Sequence, residues 1–231
     1  MKFRDFLNGA RSGIPIALGY IPVAFSFGML AVKGGMSVWT ALIISLTNFT
    51  STGQFAGVNL IIAGAPFTEI GITNFIINLR YMLMSLTLSQ RIEKMGFFKR
   101  MLVSFGLSDE VFSVASTTPK KPTFPFMMGL IASPYSGWAL GTFLGAFTNN
   151  LLPPSVTSAM GITLYAMFVA IFIPPAKKQK SIFAVLIFAV IVSCVLYFGV
   201  KNLSSGWAII ISSVTASMFG AIFFPRKEDT A

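Results

Sequence analysis

The chain has 231 residues, of which 55% are hydrophobic and 10% charged, and its mean hydropathy is +0.78. These values exclude an ordinary soluble domain and indicate a polytopic membrane protein. The formal net charge of +10 would suggest nucleic-acid binding in a soluble protein. Here, however, Lys and Arg lie almost wholly in short separators between apolar segments, where they act as topology signals, and no nucleic-acid partner is expected.

Eight apolar segments follow one another along the chain, and most are long enough for a membrane helix. They cover residues 13–32, 38–62, 66–90, 98–117, 125–149, 155–174, 181–200 and 206–225. Backbone amides in lipid must find partners within a segment or its neighbours, and nothing shows the two-residue period of barrel strands. We therefore expect an all-α fold of about seven or eight helical segments, with residues 1–231 forming a single integral membrane domain. An inverted repeat would leave little trace in one sequence.

The basic residues predict the topology. Lys2, Arg4 and Arg11 precede an apolar stretch without a small-residue cleavage site, which indicates a membrane helix and not a removable signal peptide. Basic separators then place the N-terminus and the C-terminus in the cytoplasm. The loop at 91–100 violates this pattern if all eight segments cross. The simplest repair is that two of the segments between 38 and 117 are re-entrant or half-depth pieces.

The second segment is polar where a membrane helix should be apolar. Its middle reads TNFTSTGQ at 47–54, with Asn48, Thr52, Gly53 and Gln54 among its polar and glycine positions. Such an interruption is tolerated where backbone lines a cavity, and it is typical of a transporter's binding site. The alternative is close helix packing through small and polar residues.

The third segment carries Arg80 beside a polar stripe formed by Asn74, Asn78, Tyr81 and Ser85. On a continuous helix Arg80 points about 200° away from Asn78. Both can serve one cavity only if the helix unwinds at 78–80, or if Arg80 reaches a partner on another segment. An arginine in the bilayer needs a carboxylate, carbonyls, water or a substrate anion as its partner, unless its side chain snorkels to the interface.

The fourth segment contains GLSDEVF, in which Gly106 should break the helix and Ser108 or Asp109 should cap a new one. Asp109 and Glu110 then fall in a favourable first turn. Either acid could neutralise Arg80, carry a coupling proton or hold a substrate ammonium group. The alternative is a solvated helix start outside the membrane.

Two further patterns limit the chemistry. Gly137, Gly141 and Gly145 recur every four residues in the fifth segment and predict close helix contact. One cysteine and no histidine leave no internal disulfide and no metal site of the His or Cys type, and no cofactor is expected. No pairing of a nucleophile with a base is evident, so an enzyme is disfavoured.

Five stretches together resemble the AzlC family. They are GYIPVAFSFG at 19–28, FTSTGQF at 49–55, INLRYML at 77–83, FGLSDEVF at 105–112 and SGWALGTFLGAF at 136–147. The resemblance implies the large subunit of a bacterial branched-chain amino acid exporter, paired with a small hydrophobic AzlD-type subunit. Two departures are Tyr81, where the family often has His, and STGQF, where it often has AGAxQF. They bear on proton coupling and on substrate preference.

The residues and the resemblance together predict a plasma-membrane secondary transporter that exports neutral, branched-chain amino acids, driven by the proton or charge gradient. The expected substrate-binding residues are Asn48, Thr52, Gly53, Gln54, Asn78 and Arg80. Asp109 and Glu110 are expected to couple protons or bind the ammonium group. The alternative function is a non-transporting membrane scaffold, which predicts that Asn48, Gln54 and Arg80 are buried against protein.

Overall fold

The structure is a computed structural model that describes residues 2–148, 176–200 and 203–225, together with Ser155, Ala166, Val169 and Ile173. Every regular element in these ranges is an α-helix, which confirms the predicted all-α membrane fold. The helices are α1 (Lys2–Lys33), α2 (Val38–Thr47), α3 (Thr52–Ile62), α4 (Phe67–Arg91), α5 (Phe97–Phe105), α6 (Asp109–Thr117), α7 (Phe124–Thr148), α8 (Lys180–Gly199) and α9 (Ser205–Phe223). The segment predicted at 155–174 lies outside the described residues except for those four positions.

Helices α1 and α7 are parallel neighbours in tight contact. Gly9 lies against the backbone of Phe126, and Gly28 lies against the backbone of Thr142, so both helices begin at one end and finish at the other. The 32-residue α1 begins at Lys2 and not near residue 13 as predicted. The helix includes the basic residues before position 13 because Gly9 and Gly13 pack against α7 and are buried there. The end at which α1 and α7 begin is called the N-terminal end below.

Two of the predicted segments are broken into half-length helices. The segment at 38–62 divides into α2 and α3, and the segment at 98–117 divides into α5 and α6; each piece has 9 to 11 residues. Such a piece is about 15 Å long, roughly half the hydrocarbon thickness of a bilayer. The first break carries Ser51 with φ of 49°, a left-handed conformation that is uncommon outside glycine. The second begins at Gly106, the C-cap of α5.

Helices α2 and α3 form a hairpin that enters and leaves at the end of α7. Trp39 packs against Phe143 near that end, whereas the carbonyl of Leu46 accepts a 2.7 Å hydrogen bond from Tyr135 near the middle of α7. After the break the chain turns back, because Phe55 packs against Phe27 in the later half of α1. This hairpin is re-entrant.

Helices α5 and α6 form a second hairpin from the opposite, N-terminal end. The Arg91 guanidinium donates to the carbonyl of Ser116 at 2.6 Å, and the Glu93 amide donates to the carbonyl of Pro122 at 3.1 Å. The loops that flank α5 and α6 therefore meet at one end. This geometry is compatible with the half-depth segments that the basic loop at 91–100 predicts. A long helix followed by two short ones occurs twice, α1–α3 and α4–α6, with the hairpins entering from opposite ends.

The chain forms two compact units. The first comprises residues 1–58 and 78–164, and the second comprises residues 59–77 and 165–231. The first unit contains a core of Val103, Leu107, Val111 and Leu130, in which the second hairpin packs on α7. In the second unit α8 packs on α9 through stacked Phe188 and Phe219 rings, 4.3 Å apart. The single domain expected for 1–231 stays a prediction.

Cysteine labelling tests the re-entrant topology. In a Cys194→Ala background, Lys94→Cys and Lys120→Cys should react with a membrane-impermeant maleimide from the same side as Arg4→Cys, because all three lie at the N-terminal end. Lys33→Cys should react from the other side. Opposite sidedness of the cysteines at 94 and 120 would show that the segment at 98–117 crosses the membrane.

A matched pair of glycine substitutions tests the contact between α1 and α7. A methyl group at Gly141 would come within 2.9 Å of Ala24 Cβ and overlap the Ile21 carbonyl, whereas Gly19 has open space around it. We expect Gly141→Ala to lower the free energy of unfolding by about 1–3 kcal/mol. Gly19→Ala should leave it unchanged or raise it slightly. Unfolding in mixed detergent micelles measures both; equal effects would contradict the packing described.

Candidate functional site

An ion pair between Arg80 and Asp109 joins α4 to the second helix break. The Arg80 Nη1 atom lies 2.6 Å from Asp109 Oδ2, and the two side chains are 39% and 37% exposed. Helix α4 is continuous through 78–80, so Arg80 finds its partner on another element, one of the two arrangements that the sequence allowed. Asp109 is in place because Ser108 caps α6, accepting a 3.2 Å hydrogen bond from the Val111 amide.

Tyr81 extends the ion pair to the first break. Its hydroxyl accepts a hydrogen bond from Arg80 Nη2 at 3.4 Å and donates to the carbonyl of Thr50 at 3.5 Å. The Thr50 hydroxyl in turn donates to Asn48 Oδ1 at 2.8 Å. The two interrupted helices are therefore connected through neighbouring residues of α4. The two contacts of the Tyr81 hydroxyl are long and therefore weaker than the ion pair.

Tyr20 on α1 contacts both breaks as well. Its hydroxyl donates to the Glu110 carboxylate in a short hydrogen bond, and the side chain is buried. Its ring meets Phe49, in the first break, edge to face with 6.0 Å between the centroids, and it meets Trp138 of α7 at 5.4 Å. The breaks consequently converge on the middle of the tightly packed α1 and α7 pair.

Gln54 belongs to a neighbouring polar cluster. Its side chain is 1% exposed, and its Nε2 atom donates to Ser45 Oγ at 3.1 Å, which lies 2.7 Å from Thr142 Oγ1. Gln54 Oε1 is buried and has no hydrogen-bond partner among the described residues, and the same holds for Asn78 Oδ1 and Ser51 Oγ. Buried polar atoms are nearly always satisfied, so these groups have capacity for water or a polar solute.

The structure joins some of the predicted site residues and leaves others apart. Asn48, Arg80 and Asp109 share one network, through Thr50 and Tyr81. Glu110 is adjacent to Asp109 but is held by Tyr20. Thr52, Gly53 and Gln54 form the first turn of α3, where the Gly53 amide bonds the Thr50 carbonyl at 3.3 Å. The described contacts do not connect Asn78 to the ion pair.

Sequence reasoning missed three residues of this region. Tyr20 was detectable as a polar side chain inside an apolar segment, two residues before Pro22. Ser45 and Thr142 carry no local signal, because each is a single small hydroxyl in an otherwise apolar stretch. Their pairing joins positions 97 residues apart in the chain.

Comparison with known proteins places these residues in a family. The model of the AzlC protein family matches residues 15–152, a range that contains every site residue named above. The chain belongs to the AzlC family. This confirms the resemblance seen in the five sequence stretches. No solved structure matches the chain.

Three relatives illustrate the breadth of the AzlC-family match. The inner membrane protein YgaZ of Escherichia coli is 30% identical, with 77% of this chain and 76% of YgaZ aligned. An uncharacterized membrane protein of Archaeoglobus fulgidus is 34% identical, with 77% of this chain and 79% of the relative aligned. The branched-chain amino acid transport protein AzlC of Bacillus subtilis is 24% identical, with 75% of this chain and 68% of that protein aligned. These names indicate a membrane protein with a role related to transport.

The charges of the AzlC-family site do not cancel. One guanidinium, on Arg80, faces two adjacent carboxyl groups, on Asp109 and Glu110, which leaves a formal surplus of one negative charge. Asp109 is neutralised by its 2.6 Å contact with Arg80. Glu110 has a hydroxyl partner, Tyr20, which supplies a hydrogen bond but no positive charge. The surplus negative charge therefore leaves Glu110 able to interact with a cationic group.

A double-mutant cycle tests the ion pair. Arg80→Met and Asp109→Asn should each lower the free energy of unfolding, because each leaves one charge without its partner. The double variant should lose less than the sum, with a coupling energy of about 1–2 kcal/mol, since both groups are partly exposed. Unfolding in mixed micelles gives the cycle. As a control, Arg91→Ala combined with Asp109→Asn should be additive; strict additivity of the first pair would contradict the contact.

Proposed function

We propose that this protein is a secondary transporter that exports neutral, branched-chain amino acids across the bacterial plasma membrane, driven by the proton or charge gradient. The observation that carries the proposal is the convergence of two helix breaks on the Arg80–Asp109 pair and Tyr81. Paired broken helices with polar ends at mid-depth are a recurrent architecture for substrate sites in transporters. The name of the Bacillus subtilis relative supports the class of substrate.

The substrate carboxylate would bind at Arg80 and the first turn of α3. The first amides of a helix have no partner within it and carry a partial positive charge, so they bind anions. Thr52, Gly53 and Gln54 form this turn, in which the Gly53 amide already donates to the Thr50 carbonyl at 3.3 Å and would have to exchange that partner for the carboxylate. Tyr81 already bridges Arg80 and the Thr50 carbonyl next to it. A carboxylate could take the place of the Tyr81 hydroxyl as the acceptor for Arg80 and gain a full countercharge, with amides of α3 and not the Thr50 carbonyl as its second partner.

The substrate ammonium group would bind at Glu110. Of the two acids, Asp109 already has a cationic partner, whereas Glu110 is held only by the Tyr20 hydroxyl. The buried Asn78 Oδ1 is a further acceptor without a partner in the described ranges. A zwitterion brings one charge of each sign, so its carboxylate can replace Asp109 at Arg80 while its ammonium group neutralises the adjacent carboxyl groups of Asp109 and Glu110. That exchange would couple binding to movement of the two hairpins.

The substrate's apolar side chain would lie against the aromatic group of Tyr20, Phe49, Tyr135 and Trp138. Phe49 lies in the first break and is in edge contact with the other three rings. Phe49 and Trp138 are almost fully buried in the described state. A branched side chain could replace one of these ring contacts when the first hairpin shifts, which favours apolar substrates over polar ones.

A polar face connects the site with the N-terminal end. Asn78, Tyr81, Ser85 and Ser89 follow one another at helical spacing along α4. Near the end of α4, a cavity of about 70 Å³ is lined by Ser85, Ser89, Ser104 and Arg100 together with apolar residues. A cavity of this size and polarity can hold ordered water. It supports a solvated route toward Arg80 from this end.

We propose that the N-terminal end faces the cytoplasm, with the C-terminus on the same side. The basic side chains Arg91, Lys94, Lys120 and Lys121 lie in the two loops that meet at this end, which is the distribution expected of cytoplasmic loops. Residues 226–231 lie outside the described part, so the position of the C-terminus rests on the sequence alone.

We also propose a small AzlD-type membrane subunit as partner. Helix α8 has no buried residue along its 20 positions, so among the described residues the surface that does not pack on α9 is open to lipid or to another subunit. The scaffold alternative predicts buried polar groups. Gln54 fits it, being 1% exposed, whereas Arg80 and Asp109 are more than one third exposed. The exposed ion pair favours transport.

Counterflow of L-leucine in proteoliposomes, with and without the small subunit, tests the function. We expect Arg80→Ala and Glu110→Gln to slow leucine exchange by about 10- to 100-fold, because each removes a charge-assisted contact. Arg11→Ala, which removes an exposed arginine of α1, should exchange leucine like the unmodified protein. Absence of counterflow by the unmodified protein under both conditions would overturn transport; unchanged exchange in both site variants would overturn the assignment of the site.

A further inference from the structure

Glu69 is a buried acid that the proposed substrate site does not use. It lies in the first turn of α4, in the second compact unit, and its side chain is 6% exposed. Glu93, by contrast, lies in an exposed loop. A buried ionisable group in a membrane protein is costly to keep and is usually functional.

The Glu69 carboxylate sits at the start of two helices. It belongs to the first turn of α4, and it accepts a short hydrogen bond from the Ser204 hydroxyl. Ser204 is the N-cap of α9, where its Oγ atom accepts a hydrogen bond from the Trp207 amide at 3.4 Å. The first turn of α4 and the N-cap of α9 are therefore joined through this carboxylate.

A second hydroxyl next to Glu69 has no partner. Thr73 lies one turn further along α4; it is fully buried, and its Oγ1 atom makes no hydrogen bond within the described ranges. Both side chains face Gly206 of α9. A methyl group at Gly206 would lie 2.8 Å from Thr73 Oγ1 and would overlap the Glu69 carboxylate. The absence of a side chain at Gly206 therefore leaves space beside both groups.

Within the described residues, no positively charged side chain forms an ion pair with Glu69. Helix α9 carries no charged residue between Ser205 and Phe223, and Glu69 is the only charged residue of α4 within the second unit. The basic residue of α8, Lys180, begins that helix, at the end away from the α9 connection. Lys201 lies outside the described residues. The described hydrogen-bond partner of the carboxylate is thus the Ser204 hydroxyl, at the N-cap of α9.

We propose that Glu69 is a proton-binding site that couples transport to the proton gradient and is separate from the substrate site. The inference rests on the transport function proposed above. When Glu69 is ionised, Ser204 donates to it. When a proton from water binds a Glu69 oxygen, the charge disappears, and the new O–H group donates to Thr73 Oγ1. The ionised form thus has its donor, Ser204, and the protonated form has an acceptor without another described partner one turn along α4, Thr73.

Accumulation under a pH gradient, compared with gradient-free counterflow, tests the proposal. In proteoliposomes, a pH difference of about one unit should support about tenfold leucine accumulation for each coupled proton. Glu69→Gln should reduce this ratio to about one while counterflow stays within about twofold of the unmodified protein. Glu93→Gln, an acid-to-amide change in an exposed loop, should alter neither. Glu69→Gln that retains tenfold accumulation overturns the proposal. Loss of counterflow in the unmodified protein instead overturns transport itself, and the coupling role with it.

A second measurement uses the unmodified protein and so does not depend on how a variant folds. Dicyclohexylcarbodiimide is an apolar reagent that modifies protonated carboxyl groups. We expect mass spectrometry of the labelled protein in lipid to locate the adduct on Glu69, with labelling that decreases as the pH rises. Thr73→Val should change the pH dependence of this labelling, which a purely structural threonine would not do. No adduct on Glu69 at any pH, with the protein folded, would overturn proton binding there.

Discussion

The arrangement of this protein depends on how a membrane-embedded arginine finds a countercharge. Lipid cannot solvate the guanidinium of Arg80. A charged side chain without a countercharge in the bilayer costs roughly several kcal/mol, even by the lowest estimates. Asp109 supplies the countercharge, with its Oδ2 atom 2.6 Å from Arg80 Nη1. Asp109 can do so only because α5 ends at Gly106 and Ser108 starts a new helix, which places the acid at mid-depth. The break in the second hairpin and the charge on α4 therefore require each other.

The rest of the first unit positions this pair. Helices α1 and α7 pack closely, because glycines on both helices let their backbones approach each other. The pair forms a rigid support for the site. Tyr20 on that support holds Glu110, while Tyr81 links Arg80 to the carbonyl of Thr50. The support is close-packed, whereas the two breaks are joined by a few polar contacts. Movement should accordingly occur at the hairpins, with α1 and α7 as the fixed reference.

Much of this could be predicted from the sequence because the signals are local. The polar run at 47–54 and Gly106 mark the breaks, and the basic loop at 91–100 indicated that neighbouring segments do not cross. Asp109 and Glu110 were the candidates for Arg80, being the only acids between Glu93 and Glu228. The pairing of Tyr20 with Glu110, 90 residues apart, could not be predicted, because it depends on tertiary packing. The burial of Glu69 could not be predicted either, because an acid in the first turn of a helix is also typical of a helix that starts in solvent.

A cryo-EM structure of the protein in lipid with saturating L-leucine would test the central claim most directly. The account predicts that Arg80 leaves Asp109 and contacts the leucine carboxylate, with the ammonium group at Glu110 and the two helix breaks displaced relative to α1 and α7. Leucine bound elsewhere while Arg80 and Asp109 keep their contact, or no bound leucine at saturation, would contradict it.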